Sequence, residues 1–65
     1  MWVEFMTVPN AYVAETWREL FAAEGLSVRV IPPIGHGETA SMRDERVLYV
    51  PTGKAHVARE ILRKI

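Results

Sequence analysis

The sequence contains no cysteine. That excludes a disulfide framework and any metal site built on thiolate ligands. Long apolar runs are missing as well: no stretch approaches the ~20 residues that span a bilayer. The opening MWVEFMTV has neither the charged nor the long apolar region of a signal peptide. The expected setting is therefore the cytoplasm, with no membrane partner. An excess of charge of one sign is also absent. Eight Lys and Arg balance eight Asp and Glu, and without a basic run no nucleic-acid partner held through its phosphates is expected. Length is short too. At 65 residues the chain reads as one domain, 1–65, and folding at this size buries only about 60% of the unfolded surface. A core so small rarely supplies more than roughly 3–5 kcal/mol without a disulfide, a metal or association. With 49% of residues apolar, the composition is that of a globular protein, and self-association is the reinforcement that remains.

The elements follow from periodicity and punctuation. Residues 2–8, WVEFMTV, are rich in aromatic and β-branched residues and read as a strand stopped by Pro9. Asn10 has the form of a helix N-cap. From Ala11 to Glu24 the apolar residues Val13, Ala14, Trp17, Leu20 and Phe21 fall on one helical stripe, with Gly25 as a left-handed stop. LSVRVI, residues 26–31, reads as a second strand closed by Pro32 and Pro33, and RVLYV, residues 46–50, as a third ended by Pro51. Thr52 is placed to cap a closing helix. In that helix Val57, Ala58, Ile61, Leu62 and Ile65 oppose His56, Arg59, Glu60 and Arg63, with Glu60 and Lys64 spaced as an i,i+4 ion pair.

The order strand, helix, strand, strand, helix restricts the topology. A right-handed crossover makes the first two strands parallel, and the third returns antiparallel, most simply between them. The expected fold is α+β, a two-layer β-α-β-β-α sandwich, ferredoxin-like but lacking the last strand and so leaving a sheet edge open. Strand alternation puts Val3, Phe5, Val28, Val30, Leu48 and Val50 under the helices. It puts Trp2, Met6, Ile31, Val47 and Tyr49 on the opposite face, interrupted by Glu4 and Arg29. So much apolar surface on the second face points to a homo-oligomer, a dimer first, built on that face or on the open edge. The alternative is a monomer with scattered exposed apolar residues.

Chemistry has fewer places to sit. PPIGHGETASMRDE, residues 32–45, carries Gly35-His36-Gly37 with Glu38 two residues on. A histidine beside a carboxylate can serve as a base or a ligand, and glycine amides can converge on an anion. The same residues are also ordinary punctuation of a mobile connector. VPTGKAH, residues 50–56, resembles the end of a phosphate-binding loop but has Ala55 where a Ser or Thr should follow the lysine, and lacks the earlier glycine. His36 and His56 with Glu38 give no spacing that gathers three or four ligands. Neither Ser27 nor Ser41 sits in a nucleophile motif. No metal, cofactor or catalytic residue is expected; His36, Glu38 and Lys54 remain as contacts for a small metabolite or a protein partner.

NAYVAETWRELFAAEGLSVRV and RVLYVPTGKAHVAREIL together resemble a small prokaryotic family of signal-transducing proteins without an assigned activity, over nearly the whole chain. The resemblance implies a fold similar to that of the nitrogen-regulatory PII-like proteins. Those proteins hold nucleotides between subunits with a long loop and basic residues; this chain is shorter and has no nucleotide motif, so nucleotide binding is not implied. The expected function is a non-enzymatic regulatory or adaptor module in signal transduction. A small ligand-binding protein or enzyme using the Gly35-His36-Gly37 loop at a subunit interface is the alternative.

Overall fold

A computed structural model describes residues 1–32 and 41–65. The elements are β1 (Trp2–Val8), α1 (Ala11–Ala23), β2 (Arg29–Ile31), β3 (Arg46–Pro51), a 3-10 turn (Thr52–Lys54) and α2 (Ala55–Lys64). The sheet is three-stranded in the order β1-β3-β2. β3 pairs antiparallel with both neighbours, so β1 and β2 run parallel to each other on either side of it, as the element order implies.

Both ends of α1 are closed by groups the sequence makes recognisable. Asn10 is extended, and its side-chain oxygen accepts from the amide of Val13 at 2.9 Å. At the other end Gly25 has φ +87°, the left-handed region that glycine enters without steric cost. The Gly25 amide donates to Ala22 O and the Leu26 amide to Phe21 O, each at 2.9 Å, the paired bonds of a Schellman stop. Phe21 and Leu26 then bury together in one cluster. The second strand is shorter than residues 26–31: the Leu26 amide is spent on the helix stop, and β2 begins at Arg29, where its pairing with β3 begins.

The core lies between one face of the sheet and both helices. Leu48 and Val50 of β3 are fully buried, as are Ala14 and Phe21 of α1 and Ala58 of α2. Ala14 and Ala58 are small enough to let each helix axis approach the strands closely. Phe21 is the hub: Phe5 meets it edge-on at 6.0 Å and 83°, and Trp17 lies against it at 5.8 Å, arrangements that aromatic quadrupoles favour. Leu20, expected on the buried stripe, sits at its margin and is 38% exposed; Ile65 lies past the end of α2 and is 63% exposed.

β1 carries a bulge that reverses one expectation. Its ladder pairs Val3 with Val50 and Glu4 with Tyr49, then resumes with Met6 opposite Leu48, Thr7 opposite Val47 and Val8 opposite Arg46. Phe5 is the extra residue, and a bulge of this kind places two successive side chains on one face. Phe5 packs against the cluster that holds Phe21 and Val50, and Met6 against the cluster of Val8, Ala14 and Leu48. Strict alternation had put Met6 on the far face with Trp2; the bulge turns it under the helices.

A second departure is Arg46, on the core-facing parity of β3 and only 8% exposed. Its guanidinium donates to the carbonyls of Asp44 (2.8 Å), Glu45 (3.1 Å) and Ser41 (2.7 Å). These bonds fold residues 41–45 into a turn that Ser41 N also closes onto the Asp44 carboxylate at 2.9 Å. Met42 O accepts from Ala11 N at 3.0 Å, which fixes the turn to the start of α1. Residues 41–45, one described end of the segment expected as a mobile connector, thus form a hydrogen-bonded turn, and residues 33–40 of that segment lie outside the described residues. Among the described residues no buried side-chain nitrogen or oxygen lacks a partner.

The ends of the chain show smaller corrections. Thr52 does not cap α2 with its side chain. Its amide and hydroxyl both donate to Met1 O, at 2.8 and 3.1 Å, and a 3-10 turn leads into the helix instead. Glu60 pairs with Arg63 at 3.2 Å, and Lys64 reaches Glu24 at 3.7 Å, in place of the expected Glu60–Lys64 pair. On the outside of α1 the Arg18 guanidinium forks onto Glu15 at 2.7 and 2.8 Å. That hydrogen bonding holds the Glu15 carboxyl below its usual range and Arg18 above its own. The lowered carboxyl favours the fold above the usual carboxylate range and ceases to as acid protonates it, but an exposed pair contributes little.

The bulge makes a testable reversal. Met6→Lys forces a charge under α1 and is expected to cost about 2 kcal/mol or more, whereas Thr7→Lys on the far face should stay within about 0.5 kcal/mol. Urea unfolding of both variants checks this; an unbulged strand would give the opposite order.

Candidate functional site

The face of the sheet turned away from the helices is built by the ladder. Side chains of directly paired residues share a face, so the pairs define rows across it. One row is Glu4, Tyr49, Arg29; the next is Thr7, Val47, Ile31; Trp2 lies beside Pro51 at the far end. Ile31 is 40% exposed, and Trp2, Val47 and Tyr49 are half-buried. Glu4, Thr7 and Arg29 are exposed. No helix among the described residues lies over these rows, since α1 and α2 both pack on the Leu48 and Val50 side.

Of the residues expected at an interface, Trp2, Ile31, Val47 and Tyr49 therefore share this open face, and Met6 does not. Of the two charged residues that interrupt it, Arg29 makes a contact across it. The Arg29 guanidinium lies 4.5 Å from the centroid of the Trp2 ring. Arg29 and Trp2 stand on opposite edge strands, about 10 Å apart at the backbone. Both side chains must lean over β3, near Pro51 and Tyr49, to meet. A cation over an indole face is held by the ring quadrupole, so the pair forms a low roof across one end of the face. The signal was present in the sequence as an arginine and a tryptophan on the same strand parity, but only the ladder brings them together.

The other expected contacts are dispersed. Lys54 is exposed on the turn between β3 and α2, and His56 is exposed on α2. His36 and Glu38, with Gly35 and Gly37, lie outside the described residues. Among the described residues there is no pocket, no group of three or more His, Asp or Glu placed to hold a metal ion, and no helix long and apolar enough to cross a membrane. Comparison with family models, with curated proteins and with solved structures finds no match to this chain.

The Arg29–Trp2 contact has a measurable worth. Arg29→Gln is expected to lower stability by about 0.5–1 kcal/mol, the usual range for a partly exposed cation–π pair, and to shift the Trp2 emission; Arg29→Lys should keep part of both. Urea titration followed by tryptophan fluorescence, with Trp17→Phe as the background, provides the check.

Proposed function

We propose that this chain is a non-enzymatic regulatory or adaptor module in prokaryotic signal transduction, acting in the cytoplasm as a homo-oligomer. Its fold on this reading is ferredoxin-like without the last strand and PII-like in kind. Assembly uses the open face of the sheet, and the assembled module binds a protein partner or a small metabolite.

The observation that carries the reading is the open face itself. Trp2, Ile31, Val47 and Tyr49 gather on a sheet surface that neither helix covers. Antiparallel sheets that meet only water on one side alternate cleanly between apolar and polar residues, and this face does not. Covering it removes apolar surface from water, the dominant favourable term in association. The size of the chain adds a reason, because a domain this small gains from a second source of burial. The outer edge of β1 offers a further place for a partner's strand to add, a common mode of peptide recognition.

Tyr49 is the residue to test, at the middle of the central strand with its side chain on the open face. Light scattering at about 0.1–1 mM, where an association free energy of only ~5 kcal/mol already populates a dimer, should give a mass above the 7.4 kDa of one chain. Tyr49→Lys should return the mass to one chain while far-ultraviolet circular dichroism keeps its helical signal. Assembly unchanged in this variant would refute the open face as the contact.

A further inference from the structure

We infer that the open face is complementary to itself, and that it pairs with the same face of a second copy about a two-fold axis running along β3, each Glu4 meeting the other copy's Arg29. The inference rests on the open face being the assembly surface; what it adds is the partner and the register.

Glu4 on β1 and Arg29 on β2 are both paired with Tyr49 of β3, so they flank it at equal strand spacing on one face. Both are exposed, and among the described residues neither has an ion-pair partner within its own chain. A closed dimer uses the same patch on both copies. Two sheets stacked face to face have two simple axes available in the plane between them. An axis along β3 exchanges the two edges of the sheet. It sets β1 of one copy over β2 of the other and therefore Glu4 over Arg29, twice. An axis across the strands through the same row leaves each edge over itself, with Glu4 over Glu4 and Arg29 over Arg29. Opposed like charges count against that arrangement, so charge selects the first axis.

The rest of the face is consistent with this axis. It brings Tyr49 onto Tyr49 and Val47 onto Val47 along the two-fold, and sets Ile31 over Thr7. Stacked sheets lie about 10 Å apart, a gap that a glutamate and an arginine reaching toward each other can span. The guanidinium carbon lies 4.5 Å over the Trp2 ring, which draws it over β3, so meeting the partner's Glu4 swings the side chain back toward its own strand; its fork of N–H donors suits a carboxylate.

The expected affinity follows from size. Three strands of this length present a footprint on the order of 300 Å² per copy, well below the ~800 Å² per partner of a standard stable interface. The dimer should be weak and in exchange, which makes the two charge pairs decisive for its register.

Sedimentation equilibrium on the full chain tests this with Glu4→Arg, Arg29→Glu, the double variant, an equal mixture of the two single variants, and Tyr49→Lys as reference. Each single variant should weaken self-association by about ten-fold or more, since it opposes like charges at two places. The mixture should recover association to within about three-fold of the original chain, because one variant then presents only cations where the other presents only anions. The double variant should recover likewise, although it lacks the Arg29–Trp2 stack, which separates lost pairing from lost stability. If the single variants associate as the original does, or the mixture and double variant fail to recover, while Tyr49→Lys still dissociates the assembly, the register is wrong and the open-face reading survives. A loss confined to Glu4→Arg points to pairing along the β1 edge and likewise overturns the register. A chain that stays at 7.4 kDa up to about 1 mM, where even millimolar affinity would be seen, overturns both.

Discussion

The alternation along β3 organises everything else. Arg46, Leu48 and Val50 are buried, while Val47, Tyr49 and Pro51 are half-buried on the other side. β1 and β2 reach the sheet only by pairing with this strand, and Leu48 and Val50 are the surface on which the helices rest. The two parities of one short strand thus fix both the core and the surface left over. Because β3 is central, its second parity lies in the middle of that surface, where a partner would exclude water most completely.

The β1 bulge sets the balance between the two faces. By turning Met6 inward beside Phe5, it gives the core two adjacent large side chains. The same step leaves Glu4 and Thr7 as the outward residues around it. An unbulged β1 would place Met6 outside in place of Thr7, leaving Glu4 as the polar residue of the open face in the middle of that strand. The bulge therefore transfers apolar bulk from surface to core in a chain that has little core to spare. Bulges also sharpen twist and spoil the regularity of an edge, and β1 is an edge strand with seven residues.

The elements written as local chemistry were legible in the sequence. Asn10 and Gly25 bound α1 through bonds to groups three to five residues away, so their meaning is carried in a short window. The order of strands was legible because so few connections suit this order of elements. What stayed hidden depends on distant partners. The bulge at Phe5 exists only relative to Leu48, more than forty residues later. Arg46 reads as an ordinary strand charge until the carbonyls of Ser41, Asp44 and Glu45 are seen to converge on it. The start of β2 was set by the helix stop, which takes the Leu26 amide, and by a ladder that joins β3 only from Arg29 opposite Tyr49. At the candidate site the apolar members were readable from parity, Met6 excepted. The alignment of Glu4 and Arg29 was not, since it arises only when β3 brings two edge strands into one row.

That row bears on what kind of surface this is. Complete burial of a large apolar side chain is worth about 1.5–3 kcal/mol, but Trp2, Val47 and Tyr49 are already half-shielded and would gain less than that. Against the gain stands the loss of translational and rotational freedom on association, at least about 4 kcal/mol. A face of this size is then near balance on apolar burial alone, and any partner of roughly the right shape would bind it equally weakly. Glu4 and Arg29 break that equivalence. A partner that leaves either charge desolvated and unmatched incurs a penalty comparable to the whole apolar gain, while one that meets both avoids it. Apolar burial on this sheet leaves contact near balance; on the proposed pairing the two charges choose the partner.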